Sequence, residues 1–516
     1  MEEITISRAE YEKYLALESR CAELQQQVNF FMEQFRLAQK KRFGASSEQT
    51  NCEQLSLFNE IEETAKPEAA EPKIEVVKEY HRQKKSRLSK ESLPEDLPVI
   101  EKEYTLPEEE LLCTNCETKL TVIGKETRER LVIEPAKVSI LREIRYIYCC
   151  RRCDKENTSV PIKKAVWPKT LIPGSIVTAE AAAHVMVQKF VMGSPLYRQE
   201  QEFESNGVPL SRQTMSNWLL ECSERYLKPV VKCLHEQLVK NDILHADETT
   251  LQVLHEEGKK AQSKSYMWLY RTGSDAKEQI VLYDYKASRS GEHAREYLKG
   301  FSGYLHTDGY AGYRSMQPGI TVVGCWAHCR RKFDEALKAL PEKARPGTNA
   351  QKGLQYCDKL FYLENCWKDL SPDERQLKRE QEAKPTINEF YKWLRSLAYS
   401  TKTLFGRAVE YALNQQKHLE NYLLDGRLEI SNNLAERSIK PFVISRKNFL
   451  FANTPKGASA SAAIFSLIET AKANNLAPYE YLKWLLTKAA GHNLETETEF
   501  VKRLTPQAYI SERSSI

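Results

Sequence analysis

The sequence predicts a multidomain α/β protein on three observations. There is an apolar seam at helical spacing near the N-terminus, there are two well-separated Cys-x-x-Cys pairs, and the periodicity changes from helical to strand-like between about residues 240 and 330. At 516 residues the chain exceeds what one core usually organises, so about two to four domains are expected. Charged residues make up 28% and the formal net charge is only +5, so base is in mild excess and must be judged segment by segment. The opening MEEITISRAE does not read as a signal peptide, and no apolar run is long enough to span a bilayer, so a cytoplasmic protein without membrane contact is expected. Thirteen cysteines in so long a chain do not make a secreted disulfide scaffold, so where they cluster they read as metal ligands.

Residues 1–45 carry apolar positions at Tyr14, Leu17, Cys21, Leu24, Val28, Phe31, Phe35 and Ala38, in steps of three and four. This is a heptad seam; self-association through it, giving a homo-oligomer, competes with an ordinary amphipathic helix. Residues 46–105, rich in Glu, Lys and Pro and including HRQKKSRLSK, read as a flexible linker. Residues 106–165 hold Cys113, Cys116, Cys150 and Cys153, with alternating segments between the pairs that suggest a β-hairpin. Two such turns direct four thiolates to one point, which suits structural zinc, although Cys149 beside Cys150 leaves the register ambiguous.

Residues 166–238 are expected to be helical, with a turn at Asn206-Gly207 followed by SRQTMSNWLLEC, in which Ser211 caps and Arg212, Gln213 and Asn217 are exposed. The pattern fits a DNA-reading helix-turn-helix and a packed helical hairpin equally well. Residues 239–340 then read as three strands, a helix, a strand, and a strand-helix pair, the order expected of a ribonuclease-H-like core. Residues 341–427, helical and rich in Lys and Glu, read as an insertion. Residues 428–475 resume the core, and 476–516 form a helical tail.

The candidate chemistry lies in this core. Asp247, in HADETT, is expected to end the first strand and Asp308, in HTDGYAGY, the fourth. These strands are neighbours in such a sheet, and two like charges so close require a divalent cation or a shared proton. Hard carboxylate oxygens suit magnesium or manganese. Gly309 permits a sharp turn after Asp308. A third acid, Glu436, is expected early in a helix capped by Ser431, with Lys440 one turn on; three acids can hold two ions for phosphoryl transfer. Glu248 points to the opposite side of the strand and is left out, whereas His245 shares the face of Asp247 and is expected to support it.

The segments HADETT, HTDGYAGY, GCWAHCRRKFDEA, NNLAERSIKPFVISRKNFLFANTPKGA and SLIETAKANNLAPYEYL resemble the large transposases of the insertion-sequence-66 family, as do KKRFGASSEQ, QLSLFNE and the Cys-x-x-Cys pairs. The resemblance runs along nearly the whole chain. It implies a DDE transposase with the catalytic, metal-binding triad at Asp247, Asp308 and Glu436, two magnesium or manganese ions, double-stranded DNA as partner, small companion proteins from the same element, and a cytoplasmic, nucleoid-associated location. Two departures stand out: Cys329, where a small residue such as alanine is expected, and the doubled Cys149-Cys150.

Further DNA-binding candidates flank the triad. Arg330, Arg331 and Lys332 are three adjacent cations that have little structural use unless an anion faces them. His328, which begins the same helix with Trp326, contacts phosphate, orients a water or is a satisfied structural histidine. Arg446, Lys447 and Asn448 read as backbone binders or as a solvated loop. The competing functions are a metal-dependent nuclease of the same superfamily, which cuts without joining, and a zinc-containing DNA-binding regulator whose acids are structural.

Overall fold

The structure, a computed structural model, describes residues 168–514 and, before them, 138–139, 141–144, 147–149 and 162–164. The expected N-terminal helix and linker, and Cys113, Cys116, Cys150 and Cys153, lie outside the described residues. A short antiparallel pair, β1 (Ile147–Cys149) with β2 (Ile162–Lys164), sets Cys149 opposite Ile162.

The helical segment that follows contains α1 (Ala179–Phe190), α2 (Leu196–Ser205), α3 (Arg212–Cys222) and α4 (Lys228–Leu238). Gly207, at φ 75°, makes the turn after α2, and the Ser211 hydroxyl accepts from the Thr214 amide at 3.2 Å, capping α3 as expected. Between α3 and α4 the helix widens into a π turn, Ser223–Leu227. Pro229 lies at the second position of α4, lacks an N–H, and would crowd the carbonyl four residues back; the wider turn relieves both problems. The same device recurs at Arg379–Ala383, just before Pro385.

The sheet has five strands: β3 (Ile243–Gln252), β4 (Lys264–Thr272), β5 (Val281–Lys286), β6 (Gly303–His306) and β7 (Ile320–Val323), in the order β5-β4-β3-β6-β7. The pairings β3–β4 and β4–β5 are antiparallel, and β3–β6 and β6–β7 are parallel. Helix α5 (Gly291–Tyr297) connects β5 to β6, and α6 (Trp326–Lys338) follows β7. One expectation needs correction. Asp247 does not end its strand, because β3 runs on to Gln252 against β4; what ends near Asp247 is the parallel pairing with β6, at His245 opposite His306. Beyond His245 that side of β3 has no strand partner and is lined instead by the helix Asn433–Phe449, and Asp247 lies there.

Both edges of the sheet are closed by side chains. Helix α13 (Pro455–Ala473) lies against β5, where the Ser466 hydroxyl accepts from the Tyr283 amide at 2.8 Å and the Thr470 hydroxyl takes both backbone groups of Val281. Hydroxyls on a helix thus occupy the ladder positions of an absent strand. At the other edge, Asn421 donates to the Val322 carbonyl at 2.8 Å and the Gly324 amide donates to His418.

Asn421 begins the 3-10 turn Asn421–Leu424, and His418 belongs to the last of the inserted helices that precede it: α7 (Asn349–Cys366), α8 (Pro372–Lys378), α9 (Lys384–Arg395), α10 (Leu404–Asn414) and α11 (Gln416–Glu420). These bury their own apolar side chains, including Phe390, Tyr391 and Leu394, against Trp326 and Phe333 of α6. Cys329 packs in the same layer beside Cys357. The chain then enters α12 (Asn433–Phe449), α13, α14 (Pro478–Ala489), α15 (Thr498–Lys502) and α16 (Pro506–Ser514).

Arg379 fastens the insertion. Its side chain is 1% exposed, forks onto Glu364 at 2.8 and 2.7 Å, and donates to the carbonyls of Tyr422, Asp425 and Leu428. Removing one partner of such a pair strands a buried charge, at a cost of about 3–5 kcal/mol. Arg379→Ala is therefore expected to lower stability by that amount in chemical denaturation, and Arg379→Met combined with Glu364→Leu to recover most of it. No recovery in the double variant would show that the cost of Arg379→Ala is not that of a stranded Glu364 carboxylate.

Candidate active site

Asp247 and Asp308 reach the site from adjacent parallel strands. Asp308 lies two residues beyond β6, and its carboxylate accepts from the Tyr310 amide at 2.8 Å; that of Asp247 accepts from the Glu248 amide at 2.8 Å. Gly309 adopts φ 92°, and a side chain there would run into the Tyr411 hydroxyl, so the expected sharp turn is present and only glycine fits it. The insertion holds this loop directly, since Tyr411 donates to the Asp308 carbonyl at 3.0 Å and Gln415 to the Gly309 carbonyl at 3.2 Å.

Glu436 is in the first turn of α12, where the positive end of the helix favours a carboxylate. The cap of this helix is not Ser431 but Asn432, and its side chain makes no capping bond. Instead the Asn432 amide, fully buried, donates to the Ala246 carbonyl at 2.8 Å, and its oxygen faces His245 Nδ1 at 3.0 Å. His245 therefore supports the site, but through Asn432 and not by touching Asp247. It stacks on His306 with ring centres 4.2 Å apart, and burial lowers its pKa to about 4, so both contacts are those of a neutral ring.

The carboxylates act on one another. Burial, then the charges of Glu248, Asp308 and Glu436, push the Asp247 carboxyl well above its ordinary range, with only the Glu248 amide opposing them. Neither Asp247 nor Asp308 has an ion-pair partner among the described residues, whereas Glu248 does. The Glu248 carboxylate is held by Arg289 at 2.8 Å and by the Tyr313 hydroxyl at 2.7 Å, which the sequence did not signal. Glu436 faces His328 Nδ1 at 3.6 Å and Arg331 at 3.7 Å.

The basic candidates divide into two groups. Arg330 pairs with Asp358 at 2.6 Å, Arg331 faces Glu436, and Lys332 lies 4.9 Å over the Tyr411 ring. Each of the three has a partner inside the fold, and for Arg330 and Arg331 that partner is an anion. Arg446 is likewise turned inward, donating to the hydroxyls of Thr249 and Thr250 at 3.3 and 3.0 Å and to the Thr250 carbonyl. Arg212, Gln213 and Asn217 are exposed on α3, with Gln213 bonded to Asn217 at 3.0 Å, and Lys440 and Lys447 are exposed on α12.

Comparison with known proteins adds an independent finding. Residues 174–460 match the model described as "Transposase IS66 family", and 466–510 the "IS66 C-terminal element". Residues 110–154 match the "zinc-finger binding domain of transposase IS66", and 31–101 the "Transposase C of IS166 homeodomain". Among curated proteins, the uncharacterized protein y4qI of Sinorhizobium fredii (strain NBRC 101917 / NGR234) is 31% identical over 400 residues, which cover 74% of this chain and 71% of that one. The uncharacterized proteins y4jD and y4hP of the same organism are 29% and 26% identical, covering 77% and 84% of this chain and 78% and 79% of their own lengths.

The Asn432 bridge is testable without any activity. Asn432→Ala leaves His245 Nδ1 and the Ala246 carbonyl buried without partners, each costing about 1–3 kcal/mol. The expected result is a loss of roughly 2–6 kcal/mol in unfolding free energy, with faster amide exchange in the first turn of α12. An unchanged exchange rate there would mean that Glu436 is positioned by something else.

Proposed function

The chain belongs to the IS66 transposase family, and from that premise we propose that it cuts DNA at the ends of its own mobile element and joins the freed 3′ hydroxyl to target DNA, with Asp247, Asp308 and Glu436 as its catalytic triad. The observation that carries this reading is electrostatic. Three acids from two adjacent strands and a helix converge where burial and mutual repulsion hold the Asp247 carboxyl far up, and neither aspartate has an ion-pair partner among the described residues. A structural cluster would be expected to carry its own cations, as Glu248 carries Arg289.

The donor set fits the group this chemistry needs. Asp247, Asp308 and Glu436 offer half-buried carboxylate oxygens, the ligands preferred by magnesium and manganese, and would together hold two such ions. When bound, those ions supply an activated attacking oxygen and neutralise charge on the leaving oxygen of a phosphodiester. The protein supplies position. Tyr411 and Gln415 fix the Asp308 loop, Asn432 fixes the helix of Glu436, and the exposed Lys440, one turn beyond Glu436 on the same face, is placed to meet a phosphate. Lys447 extends that basic line along α12, and the exposed face of α3 bearing Arg212, Gln213 and Asn217 is our candidate for contacts to the element ends. We read the sheet as ribonuclease-H-like, because three antiparallel strands continued by two parallel ones, with acids beyond the ends of adjacent β3 and β6 pairing, is the arrangement that fold requires for such a triad. The match over residues 110–154 supports a structural zinc, for which Cys113, Cys116, Cys150 and Cys153 are the proposed ligands.

The full chain, with DNA carrying the flanks of its gene and magnesium or manganese, is expected to cut and join at the element ends. Asp308→Asn should bind the same DNA yet lose more than about a hundredfold in cleavage, beyond the loss produced by removing an outer-shell partner. A folded Asp308→Asn protein that cuts like the wild type would sink the triad, and cutting without joining would favour a nuclease.

Asp247 also makes a stability prediction. A carboxyl raised on folding contributes stability that is fully present below the ordinary carboxylate range and lost as pH rises through the raised value. In a chelator of hard divalent ions, Asp247→Asn is therefore expected to melt above the wild type at pH 8, with the gap closing near about pH 4. Added magnesium should raise the melting temperature of the wild type and not of the variant. Identical melting at pH 8 would remove the strain on which the metal argument rests.

A further inference from the structure

Beside the three acids is a second donor set of different chemistry. The Cys325 thiol, the His328 imidazole and the Glu436 carboxylate bring one ligand atom each to within 4.8 Å of one another. Cys325 is the cap residue of α6, so its sulfur is at the positive end of that helix, and it accepts from the backbone N–H of Asn432 at 3.2 Å. An N–H aimed at a sulfur at a helix N-terminus is a setting that suits a metal-bound thiolate.

Two of these three side chains also have an atom left without a hydrogen-bond partner. His328 Nδ1 and Glu436 Oε1 are both buried and have no hydrogen-bond partner, although they face each other at 3.6 Å. Buried polar atoms left without partners demand an explanation, and a shared cation satisfies both at once. Tetrahedral zinc, with bonds of about 2.0–2.3 Å, sets its ligand atoms roughly 3.5 Å apart, so side-chain movements of about 1 Å close the set. Arg331, 3.7 Å from the other oxygen of Glu436, is 55% exposed and free to swing into solvent.

We propose that Cys325, His328 and Glu436 form a binding site for a borderline-soft divalent ion of the zinc class, and that its occupation takes Glu436 away from Asp247 and Asp308 and so switches off the magnesium-dependent reaction. Sulfur and nitrogen donors select zinc, whereas the two aspartates offer only oxygen and select magnesium. Glu436 is the one ligand common to both sets. Binding displaces the thiol proton to solvent and leaves a metal–thiolate bond, with a fourth position open to water. The inhibitory consequence rests on the function proposed above; the site itself does not.

The test uses the full chain loaded with one equivalent of zinc to fill the Cys-x-x-Cys site, then titrated with cobalt. The wild type is expected to develop a sulfur-to-cobalt charge-transfer band, which Cys325→Ser abolishes without changing the thermal unfolding profile. His328→Gln, which keeps the sulfur, should weaken cobalt binding by more than about tenfold, since even outer-shell partners contribute that much. No second band in the wild type, or a band unchanged in Cys325→Ser, overturns the site. In the cleavage assay, free zinc should inhibit the wild type, and Cys325→Ser should need at least about tenfold more zinc for the same effect. Equal sensitivity of the two proteins overturns the switch. If neither protein cuts DNA under any metal, the transposase reading fails while the cobalt band still decides the site.

Discussion

The helix that carries Glu436 is fastened along the strand that carries Asp247, and the candidate site depends on that attachment. At the start of α12, Asn432 bonds to His245 and to the Ala246 carbonyl. Near its end, Arg446 reaches Thr249 and Thr250, and beyond it the Ala452 amide donates to Gln252 while the Leu254 amide donates to Ala452. A helix of 17 residues rises about 25 Å, and the stretch of strand from residue 246 to 252 extends about 20 Å, so the two run side by side with little slack. The strained backbone at Leu450, at φ 62°, is where the chain turns back to reach the strand.

That rigidity answers a repulsion. Carboxylates forced together in a half-buried site would separate if their supports allowed, since each raises the energy of its neighbours' ionised forms. Two separate supports prevent it. Asp308 is held through its own backbone by Tyr411 and Gln415 of the insertion, and Glu436 through Asn432. The insertion is thus part of the site's framework, and Arg379, which ties its helices together, acts on the site at one remove.

The parts of this arrangement that are visible in the sequence are those that repeat or that need one residue type. Strand alternation marked the strands, the ribonuclease-H-like reading set the first beside the fourth, and Gly309 announced a turn that no other residue can make. What was not visible are single long-range bonds. Asn432 is the first of two adjacent asparagines and the residue just before a helix, a position where capping is the default reading; only its partners 186 and 187 residues away make it a bridge. The internal partners of the cations at 330–332 were hidden for the same reason, because Asp358 and Tyr411 come from an insertion whose placement the sequence does not give. Cys325 and His328, by contrast, have the spacing of metal ligands, and that signal was available.

The placement of Glu436 follows from these constraints more than from its own chemistry. It is fixed by the register of α12 on β3, and α6, capped by Cys325, begins opposite it because the Asn432 amide bonds to that cysteine's sulfur. The clamp that brings Glu436 toward the two aspartates therefore also brings it toward a thiol and an imidazole. A hard and a borderline-soft donor set sharing one carboxylate is the geometric result of crossing these two helices at the end of one strand. On the two proposals above, the ions present would decide which set the carboxylate joins, because the same backbone geometry places it near both.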